Sequence, residues 1–267
     1  MKIIDFHTHF YTLDRTRDAY EYLVKSGLAL PGQDGELKGL QNSMKASGVS
    51  LSINLPAALT GHQVFEANSL MILHNKVHGD VMSLGTMHME MAGEADFEAI
   101  RLKRSGINGI KLNPQSQEFD PDDGRMGPIY EACEKAGLFI LFHAGAGAET
   151  GFDPGAIHAR PKRFVPVIKN HPKLKIVLAH MGGLQMWQEA FDNVIGRDIY
   201  IDTAYTTVMD DALFAEAIKK HGASKVIFGS DFPWQKPGDI IDKIKRCVAD
   251  EEDRELVLHM NAEKLLF

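Results

Sequence analysis

His7 and His9 close the segment DFHTH, and residues two apart on a β-strand project to the same face. Two imidazoles so placed can grip one ion; the plain alternative is a pair of strand residues, one of them hydrogen-bonded in a core. Other apolar runs end in comparable side chains. GIKLN closes on Lys111 and Asn113, LFILFH on His143, KIVLAH on His180 and VIFGSD on Asp231. One polar residue closing one run means little, but five runs doing so form a constellation. Neutral imidazoles with one carboxylate make a borderline-soft site for one divalent transition metal, Zn2+ first, with Mn2+, Fe2+ or Co2+ also suited. A site open on one side lowers the pKa of bound water toward ~7. Asp231 can accept a proton there, and His180 can polarise a carbonyl or shuttle a proton.

These residues need a frame that brings distant segments to one place. Short β-branched or apolar runs bounded by turn residues recur as KIIDFHTH, VSLSINLP, VMSLGTMH, INGIKLNP, LFILFHAG, LKIVLAHMG, IYIDTAYT and KVIFGSDFP. Helix-patterned segments such as DFEAIRLKRSG, MGPIYEACEKAG, FVPVIKNHP and DALFAEAIKKHGA alternate with them. Such alternation predicts parallel βαβ units, and eight of them predict an α/β fold, a TIM (β/α)8 barrel. An open doubly wound sheet would carry a Gly-rich phosphate turn after an early strand. HAGAGAETG follows the fifth strand and lacks that spacing. Strand C-terminal ends form the active face of a barrel, and the closing residues of all five runs fall there. Between His9 and the second strand lie about 40 residues, more than one crossover helix requires. The first part, residues 10–35 with RTRDAYEYLVKSG, is expected to be a lid insertion; ELKGLQNSMKASG is expected to be the first barrel helix. The whole of 1–267 is expected to form a single domain.

Composition narrows the partners. The 267 residues carry 29 Lys and Arg against 36 Asp and Glu, a net charge of −7, so no nucleic-acid surface is expected. No run of about 18 apolar residues exists to span a membrane, and MKIIDFH reads as strand rather than as a signal peptide. Cys133 and Cys247 form neither a CxxC pair nor a disulfide framework, which fits a reducing, cytoplasmic setting.

DFHTH, His143, His180 and GSDFPW together resemble the amidohydrolase superfamily. GIKLNPQSQEFDPDD, LFHAGAG, HPKLKIVLAHMGG and NAEKLLF make the chain similar to its family 2 branch, the aminocarboxymuconate-semialdehyde decarboxylase-like metal-dependent hydrolases. The resemblance implies one metal held by His7, His9, His143 and Asp231, with His180 catalytic. It also implies that such proteins often self-associate into homo-oligomers, although no interface is readable in this chain. Lys111 has three readings. It can bind a substrate carboxylate as an ammonium, it can be a carboxylated bridge between two metals, or it can pair with Asp5 or Asp202. The first is the simplest.

The expected activity is hydrolysis of an amide, lactone or ester carbonyl in a small, carboxylate-bearing substrate, with Asp231 as base and His180 stabilising the oxyanion. The alternative is non-oxidative decarboxylation of a small aromatic or unsaturated carboxylic acid on the same ligands, with Asp231 or His180 delivering a proton to carbon. A silent scaffold with a retained metal is the third reading, and the presence of Asp231 and His180 argues against it. Metal-dependent nucleases of similar fold carry a glutamate ligand on a middle strand, which GIKLNP lacks. Asp5 is expected to sit one layer beneath His7 and His9 on the same face, and His88 in a surface turn. His158, Arg160 and Arg163 lie near the mouth, where an arginine can clamp an anionic substrate, but these residues, like Arg15 and Arg17, are taken by default as solvated charge. Trp234 is read as packing or pocket wall.

Overall fold

A computed structural model describes residues 2–10, 35–147 and 157–267. Strands β1 (Ile4–Thr8), β2 (Leu51–Asn54), β3 (Val81–Ser83, resuming as Gly85–Thr86), β4 (Gly109–Leu112), β5 (Phe139–Phe142), β6 (Ile176–Leu178), β7 (Tyr200–Asp202) and β8 (Val226–Ile227) follow the sequence expectation in order. Every pairing is parallel and runs between sequence neighbours. The break in β3 at Leu84 divides the ladder into a three-stranded and a six-stranded sheet. Leu84 N–H still donates to Asn54 O at 3.0 Å. At the other seam, Phe6 N–H donates to Phe228 O at 2.8 Å and Asp231 N–H donates to His7 O at 2.8 Å. The eighth strand thereby meets the first, giving the expected TIM barrel. The calls for a lid over 10–35 and for Arg15 and Arg17 fall almost wholly outside the described residues.

Alternation along the strands explains the two apolar layers. Ile4, Phe6, Leu51, Ile53, Phe139, Leu141, Val177 and Ile227 pack together inside, floored by Ala262, Leu265 and Leu266 of the terminal segment Asn261–Leu266. Ile110, Leu112, Ile140, Phe142, Ile176, Leu178 and Ile201 face the helices instead. Each large apolar side chain so buried contributes about 1.5–3 kcal/mol. Lys111 lies between Ile110 and Leu112 and so turns inward. Gly109 leaves room for the Phe139 ring, which a Cβ there would meet at 2.4 Å. The last stave is anchored by buried Asn261, whose Nδ2 donates to Ala223 O at 2.7 Å and Val226 O at 2.8 Å.

Helices α1 (Leu37–Ser47), α2 (Gly61–Val77), α3 (Ala95–Arg104), α4 (Gly127–Ala136), α5 (Phe164–Asn170), α6 (Trp187–Asn193), α7 (Asp211–His221) and α8 (Pro237–Cys247) alternate with the strands. The stretch ELKGLQNSMKASG forms α1 and ends on Gly48 in the left-handed region (φ 71°), where glycine carries no Cβ penalty. Among the described residues no helix is long and apolar enough to cross a membrane.

Candidate metal centre and active site

One irregularity aims the first strand. Asp5 pairs with Ser52 and Thr8 with Asn54, so three steps on β1 match two on β2. A bulge of this kind re-aims the side chains that follow it. Ile4 and Phe6 belong to the inner apolar layer, while the His7 ring enters the polar mouth directly above them. Asp5, between those two, does not share the face of His7 as expected. Its Oδ1 instead accepts backbone N–H groups from Ser230 at 2.8 Å and His7 at 3.3 Å, bracing the site through the main chain. Burial raises its pKa to about 7.

Among the described residues, His7, His9 and Asp231 place one ligand atom each within 4.8 Å of one another. His7 Nε2 lies 3.2 Å and His9 Nε2 3.4 Å from Asp231 Oδ1. Their hydrogen bonds set the tautomers. His9 Nδ1 is 3.0 Å from Leu55 O, a carbonyl that can only accept, so Nδ1 carries the proton and Nε2 the lone pair. His7 Nδ1 is 2.7 Å from Asp202 Oδ2. Burial, reinforced by Lys111, holds the His7 pKa well below its usual value and keeps the ring neutral, so its Nε2 also presents a lone pair. Two ring nitrogens thus converge on one carboxylate oxygen. That donor set suits a divalent cation. Close packing secures it, for a Cβ on Gly229 would stand 2.6 Å from the His7 Cβ.

His143 and His180 form a second layer. His143 Nε2 donates to Ala146 O at 3.0 Å and His180 Nδ1 to Ala204 O at 3.1 Å. Their remaining nitrogens face each other at 3.0 Å. Two neutral rings oppose lone pairs there, an arrangement suited to a shared proton or a neighbouring cation. His180 Nδ1 is also 4.0 Å from Asp231 Oδ2. His143 therefore stands outside the His7–His9–Asp231 group and is joined to it through His180. Burial lowers the pKa of both rings. For Asp231, burial alone would raise the pKa, but His7, His9 and His180 together hold it well below the carboxylate range. Its backbone lies in the left-handed region (φ 68°), as does that of His180 (φ 60°), a conformation costing about 1–3 kcal/mol in non-glycine residues and common at active sites.

Lys111 is 3% exposed, and no carboxylate lies within the 4.0 Å ion-pair distance among the described residues. The pairing with Asp5 or Asp202 weighed from the sequence is thus not formed. Burial lowers its pKa to about 8, against the raising influence of Asp202 and Asp231.

Asp202 is the residue that sequence reasoning undervalued. Its Oδ1 accepts from His180 N at 2.8 Å and Ala204 N at 3.0 Å while Oδ2 holds His7. It also closes an apolar strand, the same signal that marked the others. Tyr205, three residues on, was not singled out; it is left-handed (φ 58°), with a pKa raised by burial and by Asp231. Replacing Asp202 with asparagine should weaken divalent-metal binding ~10–100-fold with the fold intact, because carboxylate support of a ligating imidazole is worth that much. Titration with Mn2+ or Zn2+ would show it, and an unchanged affinity would contradict the His7 assignment.

Two readings of the residues set aside earlier change, since His88 is not on the surface and His158, Arg160 and Arg163 are ion-paired rather than solvated. His88 is buried rather than on the surface, its Nδ1 accepting from Glu90 N at 3.2 Å. His158 pairs with Asp120 at 2.8 Å, Arg163 with Asp122 at 2.8 Å, and Arg160 with Glu189. Trp234 stands edge-on to His9, ring centroids 5.0 Å apart.

The family model for amidohydrolase matches residues 4–267. A curated relative, 2-amino-3-carboxymuconate-6-semialdehyde decarboxylase of Dictyostelium discoideum, is 24% identical over 225 residues, 69% of this chain and 60% of the relative. The match thus spans about 60% of that relative's length. A 5-carboxyvanillate decarboxylase from Novosphingobium aromaticivorans, with bound manganese and a nitrobenzoic acid, has a similar structure: TM-score 0.74, 15% identity, 99% of this chain and 97% of that one. So does a probable 2-pyrone-4,6-dicarboxylic acid hydrolase from Acinetobacter baumannii with bound citric acid, at TM-score 0.67, 15% identity, 100% and 99%. These likenesses agree with the barrel read from the strand order.

Proposed function

Because the chain belongs to the amidohydrolase family, whose model it matches from residue 4 to residue 267, we propose that it is a metal-dependent, non-oxidative decarboxylase of a small aromatic or unsaturated carboxylic acid. The observation that carries this reading is the buried Lys111 ammonium, with no carboxylate within 4.0 Å among the described residues, in the electrostatic reach of Asp231 beside the His7–His9–Asp231 donor set. A substrate carboxylate would supply the missing counter-charge. Two of the three relatives described above are decarboxylases, which reverses the order of the sequence expectation and puts decarboxylation ahead of hydrolysis.

His7, His9, Asp231 and His143 would hold one divalent metal, with Zn2+ and Mn2+ both suited to two or three nitrogens and a carboxylate. When bound, that ion supplies Lewis acidity toward carboxylate and adjacent oxygen atoms. The chain's own residues do the rest. Lys111 orients the substrate by one charge. Asp202 and Leu55 O fix the tautomers of His7 and His9. When the carbon–carboxylate bond breaks and CO2 leaves, the electron pair stays on carbon and must receive one proton. His180, with Asp231 beside it, is the group placed to deliver it.

The lysine makes the reading testable by pH. An ammonium with a pKa of about 8 is charged below that pH and neutral above it. Therefore kcat/KM for a carboxylate substrate should fall as pH rises through about 8. Lys111→Met should lower kcat/KM and erase that alkaline limb. A limb that persists in the variant would assign it to another group.

Hydrolysis of a lactone or ester is the second reading, favoured by the hydrolase of similar fold and compatible with the same donors. A panel of carboxylated aromatic, unsaturated and lactone substrates separates the two. Release of one CO2 per substrate consumed supports decarboxylation, whereas ring or ester opening without CO2 would replace it with hydrolysis.

A further inference from the structure

A lysine left to itself carries its ammonium to water, because its long flexible stem lets it snorkel. Lys111 stays buried instead, with no carboxylate at ion-pair distance among the described residues to hold it. The main chain around it is tied from two sides. Thr86 Oγ1 donates to Lys111 O at 3.0 Å, joining β3 to β4 at the level of the lysine. Just beyond, the side chain of Gln117, 4% exposed, fastens three loops of the mouth to one another. Its Nε2 donates to Ala58 O after β2 and to Met87 O after β3, both at 2.8 Å. Its Oε1 accepts from Asn113 N, two residues past Lys111, at 2.8 Å. The carbonyls can only accept and the N–H can only donate, so one orientation of the amide satisfies all three. The turn after β4 presents this side chain. Gln117 N donates to Asn113 O at 2.9 Å, and Glu118 beside it is left-handed (φ 54°), a strain that persists only where the surroundings fix it.

We propose that Gln117 is a positioning residue for Lys111 and, on the reading of Lys111 as the ammonium that takes the substrate carboxylate, for substrate binding as well. Hydrogen bonds and chain close a ring that runs from Lys111 through Thr86 and Met87 to Gln117, and back through Asn113. Parting the β3 and β4 loops to let the ammonium out, or water in, must break this ring. It would also strand the carbonyls of Ala58 and Met87, two buried residues, without donors, which is costlier than the bonds are worth when made. The ammonium is thereby kept dehydrated and short of a counter-charge, and an entering carboxylate meets a preorganised cation rather than a hydrated, mobile one. Without Gln117 the loops loosen, the lysine reaches water, and the carboxylate has to displace that water.

The rate at which acetic anhydride acetylates Lys111 in the metal-loaded full chain, read by mass spectrometry at one fixed pH, tests the positioning role without a substrate. Gln117→Met keeps length and volume but neither donor, and should speed labelling of Lys111 at least ~10-fold. Gln117→Asn, an amide one methylene short, should do the same and serves if the first variant fails to fold. Asn261→Leu is the control, since Asn261 ties Ala223 O and Val226 O at the opposite end of the barrel. It should lower Tm and leave Lys111 labelling within ~2-fold. Benzoate titrated calorimetrically tests the consequence, with Kd raised ~10-fold in Gln117→Met and at least as much in Lys111→Met. Labelling that is no faster in either Gln117 variant, or equally faster in Asn261→Leu, overturns the positioning role. Benzoate affinity that falls in Lys111→Met but not in Gln117→Met overturns its part in substrate binding. Faster labelling in Gln117→Met with benzoate indifferent to Lys111→Met would uphold the positioning role and count against the carboxylate reading alone.

Discussion

Asp231→Asn should lower turnover by ~10^2–10^4-fold while leaving the barrel folded, the range expected when a proton-transferring group is lost. The substitution keeps an acceptor oxygen near His7 and His9 but removes the negative charge on which three imidazoles converge. It also removes a proton site next to His180. Stability should survive for two reasons. Asn tolerates the left-handed backbone that residue 231 adopts at φ 68° better than most residues. The change also takes a charge out of a site where burial penalises it. Steady-state kinetics with a thermal melt measure both effects. Wild-type turnover in the variant would remove Asp231 from the chemistry, whereas a collapsed melt would make its role structural.

His7→Ala and His9→Ala are the second pair of large effects. Each deletes one of two nitrogen lone pairs aimed at Asp231 Oδ1 and leaves a buried hydrogen-bond acceptor, Asp202 Oδ2 or Leu55 O, without its donor. Metal content should fall from near one per chain to a small fraction of that, as measured by elemental analysis of tag-free protein. His143→Ala tests the fourth position. Loss of metal there would place His143 among the ligands despite its distance from the triad, whereas full retention would leave it as the partner of His180. A wild-type content near two per chain would instead point to a carboxylated Lys111 bridging a metal pair. Full occupancy in His7→Ala would contradict the site altogether.

Much of this was legible because a barrel repeats one unit. The eight strand segments read from β-branched runs are the eight staves, and IVL, FILF and GIKL announced two buried faces by their content alone. The polar closures at His7, His9, Lys111, His143, His180 and Asp231 lie at one mouth, as strand order required. What escaped was local. The bulge after Asp5 changes which face follows, and no residue type in DFHTH signals it; periodicity therefore placed Asp5 on the wrong face. Asp202 closes IYID as plainly as Asp231 closes its own strand, yet its partnership with His7 spans 195 residues and shows only in three dimensions. The opposition of the His143 and His180 rings depends on which carbonyls, Ala146 and Ala204, hold their other nitrogens. Spacing carries no trace of such a contact. The choice between hydrolysis and decarboxylation was not legible either, since both need a cation beside a proton donor, and it moved only with the named relatives.

The account rests on one convergence, in which His7 Nε2, His9 Nε2 and Asp231 Oδ1 share a cation. Crystals grown with Mn2+ and measured across its absorption edge test this most directly. The account predicts an anomalous peak within about 2.0–2.4 Å of all three atoms, the usual span for nitrogen and oxygen ligands. No peak there under ample manganese or zinc, or a peak bound by other residues, would contradict it.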